Sequence, residues 1–249
     1  MKLLLDVGNS RIKWAVLADG ALTQMGADFY RAQPMAAMFS RHFARLAPPA
    51  AVIIASVADT ACNEALAQQI QSHWRLNPRF LHTQPAQAGV TNGYHHPERL
   101  GVDRWLAMIA AHARVTAPCL VISAGTAVTV DALDSSGQHL GGLILPGLYL
   151  MASSLAVNTA GVPQAPDDLS TAGEFFGRDT GEGVIKGTQT AIVECITRSA
   201  RELAQRYGKR IECLITGGDG PIVQAALSMD CEYQPHLVLQ GIATILELD

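Results

Sequence analysis

The sequence predicts an α/β protein made of two duplicated lobes with a cleft between them, and three observations carry that prediction. The first is an internal echo. "LVISAGTAVTVDALDSSG" (120–137) resembles the opening stretch "LLLDVGNSRIKWAVLADG" (3–20) at a shift of 117 positions, close to half of the 249-residue chain. Gly8 falls on Gly125, Gly20 on Gly137, and Asn9-Ser10 on Thr126-Ala127. The second is a pair of buried-type runs, "AVIIASVAD" (51–59) and "ECLITGGDG" (212–220), each followed by turn residues and then a helical pattern. The third is the order of strands and helices, with helical segments at 60–72, 98–115, 180–207 and 220–228. A boundary near Val115–Pro118 divides the chain into lobes 1–115 and 116–249. The second lobe carries an insertion, roughly 140–190, that would shape a pocket.

Taken in order, Leu3 to Leu5 form a buried strand with Asp6 at its carboxyl end. Gly8-Asn9 reads as a turn, since Gly accepts positive φ and Asn tolerates it. "RIKWAVLA" (11–18) then alternates as a returning strand. The hairpin tip offers small polar groups and backbone N–H, flanked by Asp6 and Lys13. It suits a phosphate with its metal ion, or it is only a tight turn. The echo supplies a second tip with Gly125, Thr126 and Thr129. Glycine turns present concave sets of N–H groups to anions, and lysine adds a point charge. Neither tip is a Walker loop, because G-x-x-x-x-G-K-[ST] is absent and each tip leads into a strand.

"NGYHHPERLGVDRW" (92–105) is the densest polar cluster. Pro97 and Glu98 suit a first helical turn, with Val102, Trp105, Leu106, Ile109 and Ala113 as the apolar stripe. Asp103 lies beside that stripe next to Arg104, as either an ion-pair member or a catalytic base. His95, His96 and Glu98 are spaced too tightly for a tetrahedral metal site and are read as loop residues. In "GRDTGEGVIKGT" (177–188), Asp179 or Thr180 caps a helix whose exposed N–H groups also suit a carboxylate ligand. "TGGDG" (216–220) ends a buried strand. Its glycines allow a flat ring to approach the backbone, or it is a plain strand-to-helix loop.

Composition narrows the function classes. A net charge of −4 gives no general attraction to nucleic acid or anionic membrane. Five scattered cysteines without a C-x-x-C pair suggest reduced thiols and a cytoplasmic location. "MKLLL" is interrupted by Asp6 too early for a signal peptide. The uncharged stretch 140–166 is broken by glycines, Pro146 and polar residues, so no membrane span is expected.

The ordered set "DVGNSRIK" (6–13), "NGYHHPERLGVDRW" (92–105), "AGTAVT" (124–129), "GGLILPG" (141–147), "GRDT" (177–180) and "TGGDG" (216–220) resembles the type III pantothenate kinases. These belong to the acetate kinase, sugar kinase and actin superfamily. The resemblance implies two actin-like (ribonuclease H-like) lobes, a homodimer, and ATP-dependent phosphorylation of pantothenate towards coenzyme A. It implies that Asp6, Val7, Gly8, Asn9, Ser10, Arg11, Ile12 and Lys13 form the first phosphate loop, with Asp6 near Mg²⁺. It places Gly125 and Thr126 on ATP and Gly217-Gly218 near the adenosine. Tyr94, Gly101, Val102, Asp103, Arg104 and Thr180 would surround pantothenate, Asp103 taking the proton from its primary hydroxyl. One position departs from the family. An acid linked to a monovalent cation, K⁺ or NH₄⁺, usually stands two residues before the second tip's Gly, and here Ser123 replaces it. The expectation is reduced or altered dependence on such ions. A competing reading keeps the fold for a regulatory or accessory protein, which has no need of a base at Asp103. An actin-like polymer or chaperone ATPase would need more than 249 residues readily supply.

Overall fold

A computed structural model describes residues 1–31, 33–166, 168–171, 173–208 and 210–248. The chain divides into two compact units, residues 1–113 with 236–249, and residues 114–235. This corrects the sequence division at the C-terminus: residues 236–249 belong with the first unit.

In the first unit, β1 (Lys2–Val7), β2 (Arg11–Ala18) and β3 (Ala21–Phe29) form a meander. Helix α1 (Met35–Phe43) leads to β4 (Ala51–Ser56), and α2 (Thr60–Trp74) to β5 (Arg79–Phe80). The sheet order is β3-β2-β1-β4-β5, with β1 antiparallel to β2 and parallel to β4. A small hairpin follows, β6 (Ala86–Gln87) with β7 (Val90–Thr91), and then α3 (Val102–Arg114). One face of the sheet buries Leu3, Leu5, Val7 and Ile12 with Phe39 and Phe43 of α1 and Leu66 and Ile70 of α2. Alternation along β1 leaves Leu4, also fully buried, off that cluster.

The second unit repeats this topology. β8 (Cys119–Ala124), β9 (Ala127–Leu133) and β10 (His139–Pro146) form the meander. Then come α4 (Leu148–Asn158), α5 (Thr180–Tyr207), β11 (Glu212–Thr216), α6 (Gly220–Ala226) and β12 (Glu232–Tyr233). The sheet order is β10-β9-β8-β11-β12, strand for strand that of the first unit. Leu120, Ile122, Val128 and Val130 pack on Leu148, Ile192 and Ile196. The last helix, α7 (Leu237–Leu248), returns to the first unit and lies on β1 and β2. Its Gly241 sits so close to Leu106 that a Cβ there would overlap that residue's carbonyl.

The echo between the halves is structural. The shift of 117 maps Lys2–Val7 onto Cys119–Ala124, and Gly20 and Gly137 both occupy the left-handed region, with φ of +75° and +84°. The two phosphate-candidate tips differ from expectation, because neither Gly8 nor Gly125 has positive φ. The expected helix at 98–115 also begins later. Pro97–Arg99 form a separate 3₁₀ turn, Leu100 is extended, and the α-helix starts at Val102. That helix is buried nearly all round, Arg104 included, rather than along one stripe, and its Ala113 is exposed. No helix among the described residues is long and apolar enough to cross a membrane.

Candidate active site

The first hairpin sets an acid opposite a base. Asp6, at the end of β1, is paired in register with Lys13 on β2. The sequence builds this arrangement from both sides, since Val7 and Ile12 anchor the hairpin end in the core with no exposure. Those two residues therefore offer only their backbone to a ligand. The tip is held by Gly8 N–H donating to Arg11 O at 2.9 Å and by the Tyr30 hydroxyl donating to Gly8 O at 2.7 Å. Arg31 donates to Asn9 O, and Arg11 stacks its guanidinium over Phe29 at 4.1 Å. No sequence motif marks Tyr30 and Arg31, because their contacts to the tip span some twenty residues.

Asp6 is 8% exposed, and its carboxyl is pushed up to about 7. Burial is the main cause, Lys13 opposes it, and the negative charge of Asp103 adds to it. Asp103 is therefore close enough to Asp6 to be felt electrostatically, which brings two predicted site residues together within the first unit. A carboxyl held in this way is a hard oxygen ligand that a nearby divalent cation would favour in its ionised form. Linkage gives the sign of a pH effect. Between its ordinary value of 3.8 and about 7, the folded chain keeps a proton that the unfolded chain releases. Stability from this group therefore falls as pH rises. Acidifying the ligand-free protein from about pH 7.5 to about 5.5 is expected to add ~2 kcal/mol through Asp6. Thermal melts of the parent and Asp6→Asn across that range check it; parallel pH slopes would remove Asp6 as the cause.

Asp103 stands in the first turn of α3, partly exposed, and its Oδ1 accepts the Arg104 backbone N–H at 2.8 Å. Gly101 makes room for it: a Cβ there would lie 2.6 Å from Oδ1. Arg104 is 6% exposed. Its guanidinium donates to the Tyr94 hydroxyl at 2.9 Å and lies 5.5 Å from that ring's centre. Tyr94 is oriented in turn by its N–H donating to Asn92 Oδ1 at 2.9 Å. Four of the predicted acceptor-site residues, Tyr94, Gly101, Asp103 and Arg104, thus form one cluster. Gly101 and Val102 also line a pocket of about 670 Å³ with Ser56, Asn63, His82 and Arg99.

His236, just before α7, is a further member of this region that no sequence motif marks. Burial, and then the Lys13 charge, push its pKa down, so the ring is mainly neutral at pH 7. Its Nδ1 is buried without a hydrogen-bond partner. Only the return of α7 to the first unit brings it near Lys13.

The second unit gives each predicted residue its own setting. The 125–126 tip is flanked closely by two glycines. Gly147 N–H donates to Thr126 O at 2.9 Å, and a Cβ on Gly147 would overlap Gly125 O. Gly217, with φ +100°, lies against Ala124 in the same way. Gly125 itself faces open space: a Cβ added there would meet nothing within 4 Å. Neither a positive φ nor packing demands glycine there. Thr180 is exposed at the first position of α5, behind Asp179, whose carboxylate accepts the Glu182 N–H at 2.8 Å. Ser123 pairs across the sheet with Thr129 and Thr216. Among the described residues no group of three His, Cys, Asp or Glu side chains is placed to hold a metal. A divalent ion here would rest on one carboxylate plus its substrate and water, as Mg²⁺ commonly does.

A family model described as type III pantothenate kinase matches residues 2–202. The chain belongs to the type III pantothenate kinase family. A type III pantothenate kinase of Methylibium petroleiphilum is 39% identical over 253 residues, 98% of this chain and 97% of that protein. One from Thiobacillus denitrificans is 39% identical over 244 residues, 98% of this chain and 96% of the relative. Among solved structures, a protein from Campylobacter jejuni described as a Baf family transcriptional activator matches with TM-score 0.63 and 22% identity. It is covered to 98%, and this chain to 99%. A Sinorhizobium meliloti protein described as a 2-dehydro-3-deoxygalactonokinase matches with TM-score 0.55 and 13% identity, covering 100% of this chain and 96% of its own. At such identities the structures speak to the fold alone, which is the actin-like fold of sugar kinases.

Proposed function

We propose that this chain transfers the γ-phosphoryl group of ATP to the primary hydroxyl of pantothenate, giving 4′-phosphopantothenate. The observation that carries the reading is the grouping of Asp6, Lys13 and Asp103 in one unit of a chain that matches the kinase family over most of its length. In this reading Asp103 accepts the hydroxyl proton while the oxygen bonds to γ-phosphorus. The bond to the β-phosphate bridging oxygen breaks, and ADP leaves. Arg104 and Tyr94, already bonded to each other, orient the acceptor, with Thr180 as a further contact. The two hairpin tips hold the triphosphate, and Gly217-Gly218 admit the adenosine. Asp6 would hold Mg²⁺, which supplies charge neutralisation over the β- and γ-phosphates when bound. Lys13 contributes a fixed positive charge beside it.

A homodimer is part of the same reading. The second unit leaves Ile144, Tyr149, Leu150, Val157, Phe175 and Phe176 between 48% and 80% exposed. Apolar surface of that extent is characteristic of a protein interface. Light scattering that finds only monomers at micromolar concentration would remove the dimer. The cytoplasmic location rests on cysteines that are all free. The regulatory alternative finds no supporting feature, since a binding protein needs neither Asp6 nor Asp103.

The deciding experiment is a coupled assay of purified protein with ATP, Mg²⁺ and pantothenate, with 4′-phosphopantothenate identified by mass. ADP release that depends on pantothenate is the expected result. Pantothenate-independent hydrolysis, or no turnover, would overturn the reading.

A further inference from the structure

Three hydroxyl side chains stand in one row across the second unit's sheet. Thr129 on β9 is paired with Ser123 on β8, and Ser123 with Thr216 on β11. Residues paired in this way project from the same face, about 5 Å apart. Thr129 Oγ1 and Thr216 Oγ1 are both buried without a hydrogen-bond partner in the protein, and Thr216 is 2% exposed. Two such buried hydroxyls, one on each side of Ser123, are unusual, because burial of a polar group normally comes with pairing. The row also lies where the strands end. Thr216 closes β11, and Ser123 is one residue from the end of β8, just before the 125–126 tip.

The duplication shows what the row replaces. A shift of 117 sets Asp6 on Ser123. The hairpin partner of Asp6 is Lys13, where the second hairpin has Thr129; its parallel neighbour on β4 is Ala55, where the second unit has Thr216. An acid, a base and a methyl group in one half are thus three neutral hydroxyls in the other. Such a row has no carboxylate with which to balance a cation. The acid on the same face of β9, Asp131, is engaged with His139 at 3.1 Å, both without appreciable exposure. Hydroxyl donors suit the oxygens of an anion instead.

We propose that Ser123, Thr129 and Thr216 donate hydrogen bonds to successive outer phosphate oxygens of the bound nucleoside triphosphate, so that this unit grips the phosphates without a monovalent cation. The inference rests on the kinase reading above. It joins Thr129 of the second tip to Ser123 and Thr216 on the neighbouring strands and gives Ser123 a donor's role in place of a cation ligand's.

Calorimetric titration of the full chain with adenosine, ADP and a non-hydrolysable ATP analogue, with Mg²⁺ throughout, tests it. Thr216→Val is expected to weaken analogue binding about 10- to 100-fold and leave adenosine within about twofold, the range for a hydrogen bond to a charged group. Thr216→Ser is expected to restore the parental value, and exchanging Na⁺ for K⁺ to leave it unchanged. Ser123→Ala, at the partly exposed centre of the row, repeats the test should the valine variant fold poorly. Unchanged analogue affinity in both Thr216→Val and Ser123→Ala would overturn the proposal. So would an equal loss for adenosine, which would mark a merely structural role. A K⁺-dependent gain that Ser123→Ala abolishes would make the row a cation site and overturn it as well. The two readings fail separately: a parent that phosphorylates pantothenate while both variants bind the analogue normally refutes the row alone. A parent that binds the analogue as described without phosphorylating pantothenate refutes the acceptor alone.

Discussion

Asp103→Asn is expected to lower kcat by about 10²–10⁴, the usual worth of a positioned proton acceptor, with little change in affinity for pantothenate or an ATP analogue. The substitution is nearly isosteric. An Asn oxygen keeps the Arg104 N–H bond at 2.8 Å and fits the space that Gly101 leaves. It cannot take the proton of an attacking hydroxyl. A loss confined to kcat therefore reports a transition-state role, whereas a loss confined to KM would report a binding role. There is a second, independent readout. The Asp103 charge helps to raise the Asp6 carboxyl towards about 7, so Asp103→Asn should let Asp6 ionise at lower pH. A carbon-13 titration of the aspartate carboxyls would show that movement. Parental kcat with an unmoved Asp6 would take Asp103 out of the site.

Much of this arrangement is legible in the sequence, for identifiable reasons. Backbone geometry repeats along a duplicated chain, so the glycine turns at 20 and 137 and the strands before each tip can be matched by position alone. The cluster around Asp103 is legible because Tyr94, Gly101 and Arg104 lie within eleven residues of one another. What stays hidden depends on distant partners. Helix α7 is apolar on nearly every side, so its periodicity indicates neither a face nor a destination; the contact of Gly241 with Leu106 decides it. His236 travels with that helix. The sequence places Arg104 only as a neighbour of Asp103, and packing around α3 buries it with Tyr94 as a hydrogen-bond partner. The late start of α3 follows from Leu100, whose extended backbone breaks the helix that Pro97 and Glu98 would open.

Gly217→Ala is expected to be the most damaging single-methyl change in the second unit. At φ +100° an L side chain is strained, and the added Cβ would overlap Ala124 O while lying 2.6 Å from its carbonyl carbon. None of those atoms can yield like the end of a flexible side chain. They are β8 backbone, and Asp219 N–H already bonds the same Ala124 oxygen at 3.1 Å. The Tyr233 hydroxyl holds the other side of the turn through Gly217 O at 3.1 Å. Relief would have to push the 125–126 tip away from the 217–219 turn. Overpacking and backbone strain together amount to about 2–5 kcal/mol, and nucleotide affinity should fall with the displaced tip. Gly125→Ala is the matching control, because nothing lies within 4 Å of its Cβ position and its φ is not positive. It should melt like the parent and lose affinity only if nucleotide approaches that backbone. Melting curves and analogue titrations on both variants separate the effects. A Gly217→Ala protein with parental melting temperature and parental affinity would mean that the tip and the turn are not braced against each other, and the second phosphate grip would have to be sought elsewhere.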